Sequence, residues 1–182
     1  MGVRGDSGEA VAELVASRII DVPDFPKPGV VFKDLMPLFA DGGTFASTID
    51  TIVAHHGRSA FDVVAGIEAR GFVIAAAVAY AAGVGVVPVR KAGKLPRRAL
   101  SATYALEYGE ATLEAHVDGF RRGDRVLLVD DVLATGGTVA ATARLVERCG
   151  AHVHGVAVLM DLGFLPGREA IGDLPLTSLM TV

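Results

Sequence analysis

Residues 125–138 read RVLLVDDVLATGGT, and this stretch decides the fold that we predict for the chain. Its four apolar residues, 126–129, form a short run typical of a strand that is buried on both faces of a parallel sheet. Two carboxylates, Asp130 and Asp131, end the run, and a loop of small residues follows. Apolar residues then recur at helical spacing up to Gly150, where a glycine can cap a helix. The stretch therefore predicts strand, acidic pair, loop and helix.

The loop after the acidic pair is suited to phosphate. Its small residues let the backbone curl until several N–H groups point into one hollow at a helix N-terminus. The helix dipole contributes only about 0.3–2 kcal/mol, whereas micromolar binding needs about 8 kcal/mol, so the loop is one part of a larger site. Adjacent carboxylates would repel a phosphate unless they face hydroxyls or a metal, and a ribose 5′-phosphate meets both conditions. The candidates are Asp130 and Asp131 for the ribose and Ala134, Thr135, Gly136, Gly137 and Thr138 for the 5′-phosphate.

Other phosphate motifs fit this loop less well. No Lys-Ser or Lys-Thr follows the glycines, as a triphosphate P-loop requires, and the dinucleotide spacing G-x-G-x-x-G is absent. An ordinary acidic turn between a strand and a helix stays open on these residues alone. The stretch closely resembles the phosphoribosyl-pyrophosphate signature of type I phosphoribosyltransferases. Within it, D-D-x-L-A-T-G-G-T is most similar to the adenine-using branch of that family.

The composition of the chain indicates one globular domain. Its 182 residues, 51% of them hydrophobic, are enough for a full core. A net charge of −4 gives no support for a nucleic-acid or membrane-surface partner. Cys149 is the only cysteine, so no internal disulfide can form, which fits a reducing cytoplasm. We expect no signal peptide, because the N-terminus lacks an apolar run.

Residues 72–89 carry no charge over eighteen positions, the lower limit for a membrane span. Gly83, Gly85 and Pro88 interrupt the second half of this run. We therefore favour a buried helix at about 72–82 that turns at Gly83 into a buried strand at about 84–89. A membrane span is the less favoured alternative.

The N-terminal part of the chain predicts an amphipathic helix at 9–20 and then a stiff segment, 24–34, with the sequence DFPKPGVVFKD. Two prolines and a glycine predict extended, irregular backbone that presents Phe32. From the residues alone, a rigid connector with a buried aromatic is about equally favoured. The segment is similar to the family's F-P-x-P-G-[VI]-x-F-[RK]-D stretch. The resemblance implies that Phe32 stacks on adenine, while the backbone of Val31 and Lys33 reads the amine-bearing edge of the base.

Two loops at the ends of predicted strands carry charges that suit pyrophosphate. The strand at 62–66 leads into Ile67-Glu68-Ala69-Arg70-Gly71, and residues 90–94 place three cations after the next strand. A helix-entry charge and a solvated basic face are the plainer interpretations. The resemblance makes the first loop the pyrophosphate loop, with a non-proline cis peptide at Glu68–Ala69. The implied pyrophosphate-binding residues are Glu68, Ala69, Arg70, Arg90, Lys91 and Lys94.

A helix predicted at about 43–56 ends in His55 and His56. The helix dipole favours cations at that end. We prefer this interpretation to metal binding, because no carboxylate–histidine spacing accompanies the pair.

Residues 100–117 alternate in polarity around a turn near Gly109, which predicts a β-hairpin that could act as a movable flap. Alone, Glu107 would be an ordinary exposed acid. The hairpin's L-E-Y-G resembles the family's flap, which implies that the Glu107 carboxylate acts on the purine base and that Tyr108 belongs to the flap. Arg97 and Arg98 stand where relatives commonly have glycine, so we expect a stiffer or more charge-dependent hinge.

The rest of the chain completes one domain. We expect strands at about 153–159 and 176–181, and residues 161–168 are similar to the family's closing L-x-G-R stretch. The predicted fold is α/β, with a mostly parallel central sheet flanked by helices, as in type I phosphoribosyltransferases. We assign a single domain over 1–182, a small N-terminal hood at about 19–40, the flap at about 95–117 and the phosphoribosyl-pyrophosphate motif at 126–138.

The resemblance implies transfer of a phosphoribosyl group from phosphoribosyl pyrophosphate to adenine, giving AMP and pyrophosphate in purine salvage. It also implies Mg²⁺ as cofactor and a homodimer. We expect the substrate to hold the Mg²⁺, with a contribution from Asp130 and Asp131 left open and no other direct side-chain ligand. Two alternatives stay open: an enzyme for hypoxanthine, guanine or xanthine, and a non-enzymatic regulator of the same fold.

Overall fold

A computed structural model of the chain describes residues 6–105 and 109–182, with side chains from Ala10 onward. The helices are α1 (Asp6–Ala16), α2 (Met36–Ala40), α3 (Gly42–His56), α4 (Gly71–Ala82), α5 (Gly137–Arg148) and α6 (Gly167–Ile171). The strands are β1 (Ile20–Pro23), β2 (Val31–Asp34), β3 (Val63–Ile67), β4 (Gly85–Lys91), β5 (Ala99–Ala105), β6 (Glu110–His116), β7 (Arg125–Leu133), β8 (His152–Asp161) and β9 (Leu176–Thr181).

Seven strands form the central sheet, in the order β5-β6-β4-β3-β7-β8-β9. The five strands from β4 to β9 in that order run parallel, and helices α4, α5 and α6 connect them. The β5–β6 hairpin adds antiparallel strands at one edge. β1 and β2 form a separate two-stranded antiparallel sheet. This arrangement confirms the predicted α/β class with a mostly parallel sheet.

Two hydrophobic clusters lie on the two faces of the sheet, as the apolar run 126–129 predicts. Val126 and Leu128 belong to the cluster under α5, whereas Leu127 and Val129 belong to the cluster under α1, α3 and α4. All four side chains are fully buried. β7 is therefore the central strand on which the core is built.

β7 is longer than its apolar run predicts. The strand continues through Asp130 and Asp131 to Leu133, because Val132 and Leu133 pair with Met160 and Asp161 on β8. The two carboxylates consequently lie inside a strand and not in the loop after it. This corrects the prediction and explains how both acids become buried.

The N-terminal segment is more regular than its prolines predict. The prolines and Gly29 precede β2 and occupy the turn, which leaves Val31–Asp34 free to pair with Ile20–Pro23. Because Ile20 belongs to this ladder, α1 ends at Ala16 and not at residue 20. The hood predicted at about 19–40 thus contains a two-stranded sheet.

The long uncharged run forms a helix and a strand, as predicted, but the strand is not buried as expected. Among the β4 residues only Val89 is buried, because β6 covers this side of the strand only from Arg90 onward. α4 ends at Gly83, whose φ of +77° gives the left-handed conformation that glycine adopts most readily, and β4 starts at Gly85. In the part of the chain that the structure describes, no helix is long and apolar enough to cross a membrane. α3 begins at Gly42, where the Asp41 side chain accepts a hydrogen bond of 2.8 Å from the Thr44 N–H.

Candidate active site

Buried carboxylates gather at the edge of the sheet where the parallel strands end. Glu68 follows β3, Asp130 and Asp131 lie in β7, and Asp161 ends β8. All four are almost fully buried. Charged groups leave water at a high cost unless partners compensate them. In open α/β sheets this edge is also where ligands bind.

The two carboxylates of the acidic pair in β7 are buried and repel each other. Burial, reinforced by the neighbouring charge of Asp131, raises the pKa of Asp130 well above its usual value. Asp130 Oδ1 accepts a hydrogen bond of 2.9 Å from the Asp131 N–H. Gly71, at the start of α4, packs against this carboxylate, because a Cβ there would lie 2.9 Å from Asp130 Oδ1. The pair therefore sits under the α4 N-terminus with little room to move.

Arg70 is the cation that faces the pair. Its Nε lies 2.6 Å from Asp131 Oδ2, an ion-pair distance, but the N–H does not point along a hydrogen bond. Among the described residues, Asp131 Oδ2 has no hydrogen-bond donor although it is buried. A donor that points elsewhere leaves the hydrogen-bonding capacity of the Asp131 oxygen unused. This oxygen is free to accept a bond from a ligand hydroxyl.

The same guanidinium reaches the hood. Arg70 Cζ lies 5.1 Å from the centre of the Phe32 ring, and the Phe25 ring meets Phe32 edge to face at 5.2 Å. A pocket of about 410 Å³ opens here, lined by Val22, Phe25, Phe32, Asp34, Met36 and Arg70. The predicted base-binding residue Phe32 thus lies in a mostly apolar pocket that a flat ring could fill.

The other predicted base-binding residues lie on the same strand as Phe32. Val31 and Lys33 belong to β2, which in the described part of the chain pairs only with β1. Its outer edge therefore presents backbone N–H and C=O groups. Lys33 Nζ is 2.7 Å from Asp21 Oδ1, so its charge is directed to β1 and only its backbone is available for reading a base.

The predicted basic cluster surrounds Glu68. The peptide bond Glu68–Ala69 is cis, which confirms the prediction. The Glu68 carboxylate accepts a bond of 2.9 Å from the Lys91 N–H and another from Lys94 Nζ, and Arg90 Nε lies 3.5 Å away. Burial works against ionisation, but these bonds and the charges of Lys94 and Arg90 outweigh it and hold the pKa of Glu68 below its usual value. Glu68 is therefore an anion, and its charge holds Arg90 and Lys94 close to each other.

Five of the six residues predicted to bind pyrophosphate fall into two groups, and the sixth, Ala69, is exposed and follows the cis peptide bond. Glu68, Arg90 and Lys94 are in contact, together with the backbone of Lys91, whose side chain is exposed. Arg70 instead contacts Asp131 and Phe32.

The small-residue loop turns at Gly136 and α5 starts at Gly137. Gly136 has a φ of +79°, and a Cβ there would come within 2.7 Å of both Ala170 Cβ and the Gly167 carbonyl oxygen. Only glycine fits this position. The first N–H groups of α5 have no acceptor within the helix, as the phosphate site predicted at residues 134–138 requires.

Tyr104 is a residue of the site that we did not predict from the sequence. Its ring lies over the start of α5, where a Cβ on Gly137 would meet Tyr104 Cδ2 at 2.7 Å. Burial, together with the charge of Asp130, raises the pKa of the Tyr104 hydroxyl. The alternation that predicts the hairpin places Ala102 and Tyr104 on one face, but it does not show which helix that face meets.

The base of the hairpin is fastened to α5. Arg144 Nη2 donates a bond of 3.0 Å to the Thr103 carbonyl oxygen, and Arg148 Nη1 donates to that of Ser101. The predicted flap is therefore hydrogen-bonded to α5, the helix that follows the predicted phosphate site. The two predicted flap residues, Glu107 and Tyr108, lie outside the described residues.

The chain is similar to known phosphoribosyltransferases. Residues 40–168 match the phosphoribosyl transferase domain. An adenine phosphoribosyltransferase of Salinispora tropica is 71% identical over 100% of this chain and 96% of its own length. One of a Nocardioides species is 56% identical over the full length of both chains.

Solved structures give the same result. The adenine phosphoribosyltransferase of Thermoanaerobacter pseudethanolicus has a TM-score of 0.91 at 44% identity, over 94% of this chain and 99% of that one. The enzyme of Saccharomyces cerevisiae, solved with an imino-altritol bisphosphate and adenine, has a TM-score of 0.90 at 37% identity over the same shares. The chain therefore belongs to the adenine phosphoribosyltransferase family.

Proposed function

We propose that the protein transfers the 5-phosphoribosyl group from phosphoribosyl pyrophosphate to adenine, giving AMP and pyrophosphate, at the carboxyl edge of its sheet. The observation that carries this proposal is the buried pair Asp130 and Asp131 beside the glycine loop, in a chain 71% identical to an adenine phosphoribosyltransferase. In our assignment, Asp130 and Asp131 hold the ribose hydroxyls and residues 134–138 hold the 5′-phosphate.

The leaving pyrophosphate requires positive charge that is already in place. As it departs, the ribose carbon becomes cation-like and negative charge accumulates on the pyrophosphate. Arg90 and Lys94 are held close together by Glu68 in the free protein. An incoming pyrophosphate can take over these contacts, because its oxygens offer the same cations more negative charge than one carboxylate does. We assign Arg70, Ala69 and Lys91 to the same ligand.

Adenine fits the pocket beside Phe32. An aromatic ring stacks on another ring, and the outer edge of β2 offers backbone groups of Val31 and Lys33 to the polar edge of the base. We assign the proton that adenine must lose or exchange to Glu107, with Tyr108 as part of the flap, on the basis of the L-E-Y-G resemblance. Closure of the flap would keep water from replacing adenine as the nucleophile.

Mg²⁺ is the cofactor that we propose. When bound, it would neutralise negative charge on the pyrophosphate. We assign most of its ligands to substrate oxygens; among the described residues no group of three or more His, Cys, Asp or Glu side chains is placed to hold a metal. The carboxylates of Asp130 and Asp131 are the protein groups that would add oxygens to it.

We also propose a homodimer in the reducing cytoplasm. The outer face of α4 exposes apolar side chains: Tyr80 is 90% exposed and Val73 48%, and Val86 at the start of β4 is 44% exposed. We assign the contact between the two copies to these exposed apolar side chains. A Tyr80→Lys variant that sediments like the parent protein would contradict this surface assignment.

The free thiol of Cys149 suits a reducing compartment.

Product analysis tests the reaction. The protein is mixed with phosphoribosyl pyrophosphate, Mg²⁺ and each purine base in turn. We expect AMP and pyrophosphate from adenine, and little product from hypoxanthine, guanine or xanthine. Efficient conversion of another base would identify a different specificity. Tight binding of phosphoribosyl pyrophosphate without any product would favour a regulator.

Glu107→Gln tests the proton step, since glutamine keeps the size of the side chain but cannot take a proton. We expect single-turnover rates to fall by about 10²–10⁴, with affinity for phosphoribosyl pyrophosphate nearly unchanged. Glu110→Gln, in β6 of the same hairpin, is the matched control and should keep the parent rate. A Glu107→Gln protein that turns over adenine at the parent rate would remove Glu107 from the mechanism.

A further inference from the structure

We propose that the ion pair between Asp161 and Arg168 positions the 5′-phosphate loop by holding α6 against the back of that loop. The proposal rests on the assignment of residues 134–138 to the 5′-phosphate. Neither residue has a role in the mechanism derived above, although both belong to the segment 161–168 that the sequence analysis singled out. Their role would be to position the loop and not to touch the reacting atoms.

Asp161 is a fixed anchor. Its side chain is 1% exposed, and Arg168 Nε donates a hydrogen bond of 2.6 Å to Asp161 Oδ2. Backbone bonds hold the surrounding chain on both sides: the Val182 N–H donates to the Asp161 carbonyl oxygen at 3.0 Å, and the Leu162 N–H donates to that of Leu133 at 2.9 Å. A carboxylate buried this deeply is strongly directed toward Arg168, the cation with which it is paired.

α6 touches the loop through two glycines. A Cβ on Gly167 would overlap the Ala134 carbonyl oxygen and lie 2.9 Å from Leu133 Cγ, and a Cβ on Gly136 would lie 2.7 Å from the Gly167 carbonyl oxygen. The backbones of α6 and the loop are therefore in direct contact, with no side chain between them. Because protein interiors are close-packed, a shift of α6 must move the loop.

The ion pair acts together with the packing of Ile171 in the core to hold α6. The helix has only five residues, of which Gly167 and Ile171 are buried. Helices this short are not stable by themselves. Arg168 lies in the first turn of α6, next to the glycine that touches the loop, so its bond to Asp161 restrains the helix at the point of contact.

Arg168→Met tests the proposal, with affinities for AMP and for adenosine measured by displacement calorimetry. The two ligands differ only in the 5′-phosphate. We expect AMP affinity to fall by about 2- to 30-fold, the range known for residues that act on a ligand without touching it, while adenosine affinity stays the same. Arg125→Met is the matched control, because Arg125 pairs with Asp62 at the opposite edge of the sheet. It should lower the unfolding temperature and leave the ratio of the two affinities unchanged.

A purely structural role would lower both affinities equally or neither, and either result would overturn the proposal. If Arg168→Met fails to fold, the double variant Asp161→Asn with Arg168→Met removes the unpaired buried carboxylate and is measured in its place, with the same expectation. Gly136→Ala separates the two assignments. If it keeps AMP affinity, the loop does not hold the phosphate; if it loses that affinity while the Arg168 variants keep it, only the positioning role is wrong.

Discussion

The two ends of the parallel strands carry similar ion pairs in opposite settings. We call the end where the strands begin the amino edge and the end where they finish the carboxyl edge. At the amino edge, both partners are exposed: the side chains of Asp62 and Arg125 are 41% and 48% exposed. At the carboxyl edge, the acid is buried and only the base reaches solvent, as in Glu68 and Lys94 at 8% and 46%. Burial of the acid is unfavourable, so its free-energy cost at the carboxyl edge requires a compensating interaction that the exposed pair at the amino edge does not need.

The pKa values of Asp62 and Asp130 are shifted in opposite directions at the two edges. Asp62 accepts hydrogen bonds from the backbone N–H, Nε and Nη2 of Arg125, and its pKa falls to about 2, mainly through the side-chain bonds. Asp130 shares its site with Asp131, and burial raises its pKa instead. The Asp62 carboxylate is therefore satisfied by Arg125 without a ligand, whereas the carboxyl edge holds charge that a ligand can satisfy. Such perturbed groups mark a functional site.

Replacing Gly136 by alanine should have the largest effect. The Cβ would be forced against the Gly167 carbonyl oxygen, and the φ of +79° would be strained as well. A displacement of about 1 Å in a binding site can cost about 10²-fold, so we expect kcat/KM for phosphoribosyl pyrophosphate to fall by at least that factor. Steady-state kinetics measure it.

Gly83→Ala is the control for backbone strain. Gly83 has a similar φ of +77°, but no atom lies within 4 Å of the position of its Cβ. This variant should lose about 1–2 kcal/mol of unfolding free energy and keep its kcat/KM. If the two alanine variants lose activity equally, the effect of Gly136 is general destabilisation and not displacement of the loop.

Asp131→Asn should have the next largest effect. Asparagine keeps the shape but weakens a charge-assisted hydrogen bond worth about 1.5–3 kcal/mol, so affinity for phosphoribosyl pyrophosphate should fall roughly tenfold to hundredfold. Inorganic phosphate, which has no ribose, should bind as before. Asp62→Asn, at the amino edge, should leave both affinities unchanged. Equal losses for the two ligands would contradict the ribose assignment.

The sequence predicts the helices and strands of the protein better than it predicts the contacts between them. Runs of apolar residues, the glycine at position 83 and the alternation of the hairpin place β3, α4, β4 and the hairpin close to their observed bounds, because such patterns are local in the sequence. The short helices α2 and α6 were not predicted, since five residues are too few to show helical periodicity.

The missed contacts have a common reason. Tyr104 meets Gly137 across 33 positions of sequence, and Arg70 meets Phe32 across 38. No local spacing encodes such pairs. A side chain on Gly137 would meet the Tyr104 ring and would therefore disturb the hairpin as well as the loop.

The third prediction concerns the histidines at the amino edge. His56 Nε2 is buried without a hydrogen bond among the described residues, and the His154 ring lies 5.4 Å from that of His56. Burial, then the charges of His154 and His55, lowers the pKa of His56 to about 4. The folded state therefore keeps His56 neutral while the unfolded chain takes up a proton below about pH 6.5. The stabilising contribution is present above pH 6.5 and is lost as the pH falls toward 4.

Urea unfolding at pH 7 and pH 5 measures this effect. We expect the parent protein to lose about 1 kcal/mol more unfolding free energy between these pH values than His56→Phe does, after allowing for partial exposure of the ring. His152→Asn, at an exposed position of β8, should behave like the parent. An identical pH dependence in His56→Phe and the parent would remove His56 as the cause.

The smallest effect should follow from Arg97, the residue that we expected to stiffen the flap hinge. Arg97 Nη1 lies 2.7 Å from Asp118 Oδ2, and the side chains are 62% and 59% exposed. Salt and water screen such a pair. Arg97→Met should therefore leave the unfolding midpoint unchanged and alter turnover by less than about threefold. A larger change that disappears when both proteins are assayed at high salt would show that this exposed pair restrains the hinge through its charge, and the contrast between buried and exposed pairs would then fail at the hairpin.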